Sequence, residues 1–251
     1  VKVAFIRKYL QWVFARYIHR EVVQEKQSKI AANMTLRLTT FFESLSFPSG
    51  FIRKKYKSLS EQEVVYVLEV VHPDCQYNPF QPLHRLRNYL IVKLFLSTGI
   101  RLGEILLLKS TSLFYSEDSY YLQKTCTTDE TDSRADRPDI KNTQSERFVA
   151  ITKELYELCD YYILHQRRFT RNGKRMKLKH GFLFTSELGK PLSKTAISDI
   201  FGKINSALNA RNKPILINIS PHALRHTFAD SFLQYLIDVR KMDMERAKDE
   251  L

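Results

Sequence analysis

Apolar residues recur at helical spacing along most of this chain, and the breaks in that rhythm mark its architecture. Ile6, Leu10, Val13 and Tyr17 lie four, three and four residues apart, and Met34, Leu38, Phe41 and Leu45 repeat the pattern. Each set forms one face of a helix. Phe47, Pro48, Ser49 and Gly50 end the second stripe. The next segment, FIRKKYK at 51–57, carries Arg53, Lys54, Lys55 and Lys57 with little apolar content, as an exposed linker would. Two helices bury too little surface to stand alone. The expected organisation is therefore the C-terminal part of a helical domain at 1–48, a basic linker at 49–57 and a larger domain at 58–251. The chain opens without Met and reads as helical from Val3 and again from Met242 to Leu251, so it is expected to be a piece of a longer protein.

In the larger domain, Ser60 and Glu63 have the spacing of a capping box ahead of Val64, Val65, Leu68 and Val71. A helix over Pro82–Ser97 is expected to stop at Gly99 and to restart over Leu102–Leu108, with Arg101 at the junction. Ser119–Thr127 and Arg147–Ile151 read as strands. Between them DETDSRADRPD at 129–139 is polar and aperiodic, a mobile loop inserted into a small sheet. Leu155, Leu158, Tyr162 and Gln166 continue as a helix that runs into RRFTRNGKRMKLKH. Ser193 caps a helix with Ile197, Ile200 or Phe201, Ile204 and Leu208 on one face, and Pro221 starts another that buries Leu224, Phe228, Phe232 and Leu236. Tyr120, Tyr121, Tyr161 and Tyr162 are read as packing residues of the sheet and its neighbouring helix, and Trp12 as core of the first segment. The expected fold class is mainly α with a small antiparallel β-sheet.

Composition adds a partner. The 251 residues include 40 Lys and Arg against 27 Asp and Glu, a formal charge of +13. Such a field selects a polyanion. A membrane surface is disfavoured because the basic run at 167–179 has too few large apolar residues at helical spacing to insert, and LIVKLFL at 90–96 is too short to span a bilayer. Cys75, Cys126 and Cys159 are widely spaced and include no CxxC pair, so neither a disulfide framework nor a zinc knuckle is expected and a reducing cytosol fits, beside the nucleoid if the source is bacterial.

Two strings stand out: STGIRLGEILLL at 97–108 and SPHALRHTFAD at 220–230. The pattern T-G-x-R-x-x-E followed by H-x-L-R-H resembles the catalytic domain of tyrosine recombinases, the phage-integrase family, over roughly residues 58–251. The resemblance implies the DNA breaking-rejoining fold of that family, preceded by part of its helical core-binding domain.

The chemistry agrees. Breaking a phosphodiester requires stabilising charge on its non-bridging oxygens, which two forked guanidiniums can supply without a metal. Arg101 and Arg225 are the candidates. The leaving 5′ oxygen needs a proton, and a lysine among other cations can deliver it. Lys141, in IKNTQSERFVAI, occupies the place of the family's hairpin lysine, and Lys124 on the preceding strand competes with it. His222, three residues before Arg225, takes the family's acid/base supporting role. Glu104 is placed to hold Arg101, and His226 is read as supporting, pointing to a different side of its helix. Arg167, Arg168, Arg171, Lys174, Arg175, Lys177 and Lys179 form a run of one sign, and with Arg53, Lys54, Lys55 and Lys57 they are expected to contact DNA phosphates, which position rather than specify.

The resemblance further implies a 3′-phosphotyrosyl intermediate, strand exchange on double-stranded DNA by a homotetramer, and neither metal nor small-molecule cofactor. A metal-dependent nuclease would need carboxylates clustered with the basic groups, whereas the acids concentrate at 129–139, where they are read as a shield over the basic cleft. The family's nucleophilic tyrosine lies several tens of residues after H-x-x-R-H, but the last tyrosine here is Tyr235, ten residues after Arg225. This sequence is therefore expected to lack the nucleophile, binding DNA without cleaving it. The alternative is a non-catalytic DNA-binding protein on the same scaffold.

Overall fold

In a computed structural model, the chain divides into two units, Val1–Lys55 and Tyr56–Leu251. The structure describes residues 58–124, 132–138, 146–171, 174–211 and 218–249. The two helical stripes before Phe47, the basic linker, Lys141 and Cys126 lie outside these.

Helix α1 (Glu61–Val71) begins with the capping box: Ser60 Oγ accepts from Glu63 N, and Glu63 Oε2 accepts from Ser60 N. Helix α2 (Pro82–Thr98) is the centre of the core. Leu86, Leu90, Ile91, Val92, Leu94 and Phe95 are all buried along it, with Arg87 and Asn88 buried among them, so its middle is enclosed almost all round rather than on one stripe. It ends at Gly99 in the left-handed conformation, φ 55°. Only glycine suits that position twice over, since a Cβ there would also overlap the Phe228 ring. The chain then turns into α3 (Leu102–Leu107).

Strands β1 (Leu113–Ser116), β2 (Ser119–Lys124) and β3 (Arg147–Ile151) form an antiparallel sheet in that order. The β1–β2 hairpin turns on Glu117 and Asp118, both at positive φ. A two-residue turn of this kind favours Asn-Gly, so its Glu-Asp sequence gave no hairpin signal and β1 went unread. Helix α4 (Lys153–Tyr161), capped by Thr152, continues into one π-helical turn, Tyr162–Gln166. The basic run that follows is a hairpin, β4 (Phe169–Arg171) with β5 (Lys174–Met176). Helices α5 (Lys194–Ala210), α6 (Pro221–Asp238) and α7 (Met244–Asp249) complete the unit. On α5 the stripe Ile197, Ile200, Phe201, Ile204 and Leu208 is buried, and Phe201 meets Phe95 edge to face at 5.9 Å. On α6 Leu224 and Leu236 are buried, while Phe228 and Phe232 are only half-buried and stack on each other.

The acidic stretch departs from expectation at 132–138. Asp132 is buried and pairs with Arg134 at 2.6 Å. Arg134 also donates to the carbonyls of Leu106 (3.1 Å) and Leu192 (2.8 Å) and lies over the Phe182 ring. This part of the loop is a clamp joining α3 to the approach to α5, not a mobile cover, because a desolvated carboxylate needs the guanidinium that the carbonyls hold in place. Arg134→Met is expected to destabilise the unit by roughly 3–5 kcal/mol, since it leaves the buried Asp132 unpaired. Adding Asp132→Asn should restore part of that loss in urea unfolding.

Candidate functional site

The elbow between α2 and α3 gathers the side chains that the two motifs single out. Arg101 is the N-cap residue of α3, and Glu104, one turn on, is 3 % exposed. The Glu104 carboxylate accepts from the Arg101 backbone N–H at 2.8 Å and pairs with its guanidinium at 3.1 Å. The Arg101 side chain remains half-exposed, free to reach a ligand while its base is fixed.

Lys124, at the end of β2, is wholly buried. Its Nζ lies 3.7 Å from Glu104 Oε2 and donates to the carbonyl of Thr98 at 3.4 Å. Arg225, on the first turns of α6, donates through Nη1 to the carbonyl of Gly99. Two cations thus meet the carbonyls at the C-terminus of α2, where the helix dipole favours positive charge. Lys124 therefore lies beside the arginines, while Lys141 is outside the described residues.

The electrostatics follow from one carboxylate among several cations. Burial alone would raise the Glu104 carboxyl, but the Arg101 N–H, the Lys124 ammonium and the Arg101 guanidinium hold it below the ordinary range. Burial lowers the Lys124 ammonium to about 8, against the attraction of Glu104 and with the help of Arg147, Arg225 and Arg101. Burial and Arg101 also lower the Arg225 guanidinium.

His222 and His226 sit one turn apart on α6, with their Nε2 atoms 3.1 Å apart and their rings in edge contact. Residues four apart share a helix face, so His226 backs His222. Burial, His226 and Arg225 lower the His222 imidazole. Arg147, which the motifs do not include, stands across from Lys124 at the start of β3. Strand pairing across the long insertion is what could have revealed it.

The basic run divides. Arg167 turns inward, donating to the carbonyls of Phe182 (2.8 Å) and His180 (2.9 Å), so it fixes the hairpin instead of presenting its charge. Arg168, Lys174, Lys177 and Lys179 are exposed. The side chains of Arg171 and Arg175 are outside the described set. Among the described residues no group of three or more His, Cys, Asp or Glu comes together to hold a metal ion, and no helix is long and apolar enough to cross a membrane. A cluster of this kind can grip a phosphodiester through two guanidiniums and offer it a proton from a lysine that ionises near neutrality.

The chain matches the phage integrase family over residues 57–244. It is 21% identical over 240 residues to the tyrosine recombinase XerC of Pediococcus pentosaceus, covering 94% of this chain and 70% of that protein. It is 27% identical over 161 residues to a tyrosine recombinase of Agathobacter rectalis, covering 64% of this chain and 44% of that one. In fold it is similar to the Tn1549 transposon integrase solved in complex with circular intermediate DNA (TM-score 0.55, 16% identity, 98% of this chain and 76% of that one). It is also similar to the XerH site-specific recombinase bound to difH substrate (TM-score 0.53, 16% identity, 96% of this chain and 65% of that one). The fold is therefore that of tyrosine recombinase catalytic domains.

The Lys124 ammonium gives a signed test. A lysine whose folded value is about 8 binds fewer protons than the unfolded chain above that pH. Stability from this group therefore rises as pH climbs from about 8 towards 10.5, by up to roughly 3 kcal/mol. Urea unfolding across that window should show the rise in the parent and lose it in Lys124→Met.

Proposed function

The chain belongs to the phage integrase family, and on that premise we propose that it is part of a site-specific DNA recombinase whose Arg101, Lys124 and Arg225 bind and activate one backbone phosphate of double-stranded DNA. The observation that carries this reading is the gathering of three cations from three separate elements around the buried carboxylate of Glu104, which pairs with Arg101 and Lys124 and attracts Arg225.

The proposed chemistry assigns one task to each group. A tyrosine hydroxyl attacks phosphorus, forming the 3′-phosphotyrosyl bond as the bond to the 5′ oxygen breaks. Arg101 and Arg225 donate to the non-bridging oxygens, where charge grows as phosphorus becomes five-coordinate. Lys124 passes a proton to the departing 5′ oxygen, a task suited to an ammonium that ionises near 8. Lys141, outside the described residues, is the other lysine for this role. His222 supports proton movement at the attacking hydroxyl, with His226 holding its ring. The bond energy stays in the protein–DNA link, so rejoining needs no nucleotide.

Tyr235 is not the nucleophile in this reading. Ten residues beyond Arg225 it stands roughly 15 Å along α6, with its ring stacked on Phe232. The tyrosine is supplied from outside this sequence, and the chain alone binds DNA without cutting it. Strand exchange takes place within a homotetramer on two DNA sites. Residues 1–48 act as part of a second, helical DNA-gripping domain across the basic linker at 49–57, and exposed Arg168, Lys174, Lys177 and Lys179 add phosphate contacts.

The test is duplex binding with and without covalent trapping. The parent chain should bind in a salt-sensitive manner, Arg101→Gln and Arg225→Gln should each weaken binding roughly tenfold or more, and denaturing gels of a nicked duplex should show no adduct. Binding indifferent to both substitutions would overturn the phosphate assignment. An adduct abolished by Tyr235→Phe would overturn the assignment of the nucleophile.

A further inference from the structure

The two motifs supply two guanidiniums, yet strand register brings a third to the edge of the same site. Arg147 begins β3 and stands directly opposite Lys124 in the antiparallel pairing. Opposite residues of such a pair leave the sheet on the same face, with Cβ atoms about 4.5–5.5 Å apart. Leu122 and Val149, two residues further along each strand, share that face, and Leu122 is buried against the core. Lys124 and Arg147 therefore lie at one end of the face that the sheet turns towards α2.

They differ in one respect. Lys124 is wholly buried and Arg147 is exposed. Among the described residues no carboxylate pairs with Arg147, and the electrostatic influence of its guanidinium reaches both Lys124 and Arg225. The groups acting on Lys124 are Glu104 and Arg101 from α3 and its cap, Arg225 from α6 and Arg147 from β3. Four cations around one carboxylate repel one another until an anion joins them. An exposed guanidinium in that position gains most from a ligand with more than one oxygen to offer.

We propose that Arg147 is a third phosphate-binding guanidinium of the site, gripping the DNA backbone beside the phosphate held by Arg101 and Arg225. The assignment rests on the reading of the chain as a DNA-binding recombinase domain. It carries a second effect: the Arg147 charge helps keep Lys124 ready to release its proton. Bound phosphate then touches Arg147 directly, which a residue that merely closes the sheet would not do.

The experiment is the salt dependence of binding to a random-sequence duplex, measured for the parent chain, Arg147→Gln, Arg147→Lys and Arg225→Gln. Each lost phosphate contact flattens the slope of log affinity against log salt by about 1. Arg147→Gln and Arg225→Gln are expected to flatten it by that amount, and Arg147→Lys, which keeps the charge, to leave it near the parent value. In parallel, the titration midpoint of Lys124, followed by NMR of isotopically labelled lysine, should move upward in Arg147→Gln and stay in place in Arg147→Lys. If Arg225→Gln flattens the slope and Arg147→Gln does not, the inference is overturned and the recombinase reading stands. If the parent shows no salt-dependent binding, both fall.

Discussion

A single buried carboxylate organises this protein's chemistry. Glu104 is almost fully out of water, and a carboxylate there is tolerated only if it is ionised against cations or gives up its charge. It takes the first course: Oε1 holds the Arg101 guanidinium, and Oε2 accepts from the Arg101 backbone N–H and faces the Lys124 ammonium. The Gly99 turn makes this possible, because it ends α2 abruptly and aims the carbonyls of Thr98 and Gly99 at Lys124 and Arg225. Phe228, packed over Gly99, brings α6 into the position from which Arg225 reaches that carbonyl. Remove any one of these and the others lose the reason for their geometry.

The balance is deliberately incomplete in the electrostatic sense. Among the described residues, one negative charge, Glu104, faces Arg101, Lys124, Arg147 and Arg225, an excess of positive charge that suits a DNA phosphate. Burial, with the neighbouring arginines adding to it, lowers the Lys124 ammonium to about 8, which links gripping the backbone to supplying a proton. The paired His222 and His226 extend the site along α6, where their shared face follows from the four-residue spacing.

Much of this was legible in the residues. The Ser60 and Ser193 caps, the Gly99 stop, the α5 stripe and the two arginine motifs depend on local spacing, and the structure repeats them. What escaped depends on contacts between distant segments. The β1–β2 turn carries Glu117 and Asp118 where its backbone would favour other residues, so the first strand gave no sign. The place of Lys124 beside Arg101 and Arg225 depends on how β2 packs against the end of α2, which is not a local property. Asp132 and Arg134 looked like part of a solvated acidic loop because nothing nearby in sequence reveals the carbonyls of Leu106 and Leu192. Arg167 sat in a run of like charge and gave no hint that two carbonyls would claim it.

A crystal structure of the chain with a short duplex would show whether one phosphate sits where the Arg101 and Arg225 guanidiniums converge. One backbone phosphate should lie within about 3 Å of the Arg101 and Arg225 guanidiniums, with Glu104 still holding Arg101 and Lys124. A duplex bound only along the exposed lysines of the β4–β5 hairpin, with no phosphate at the elbow between α2 and α3, would contradict it.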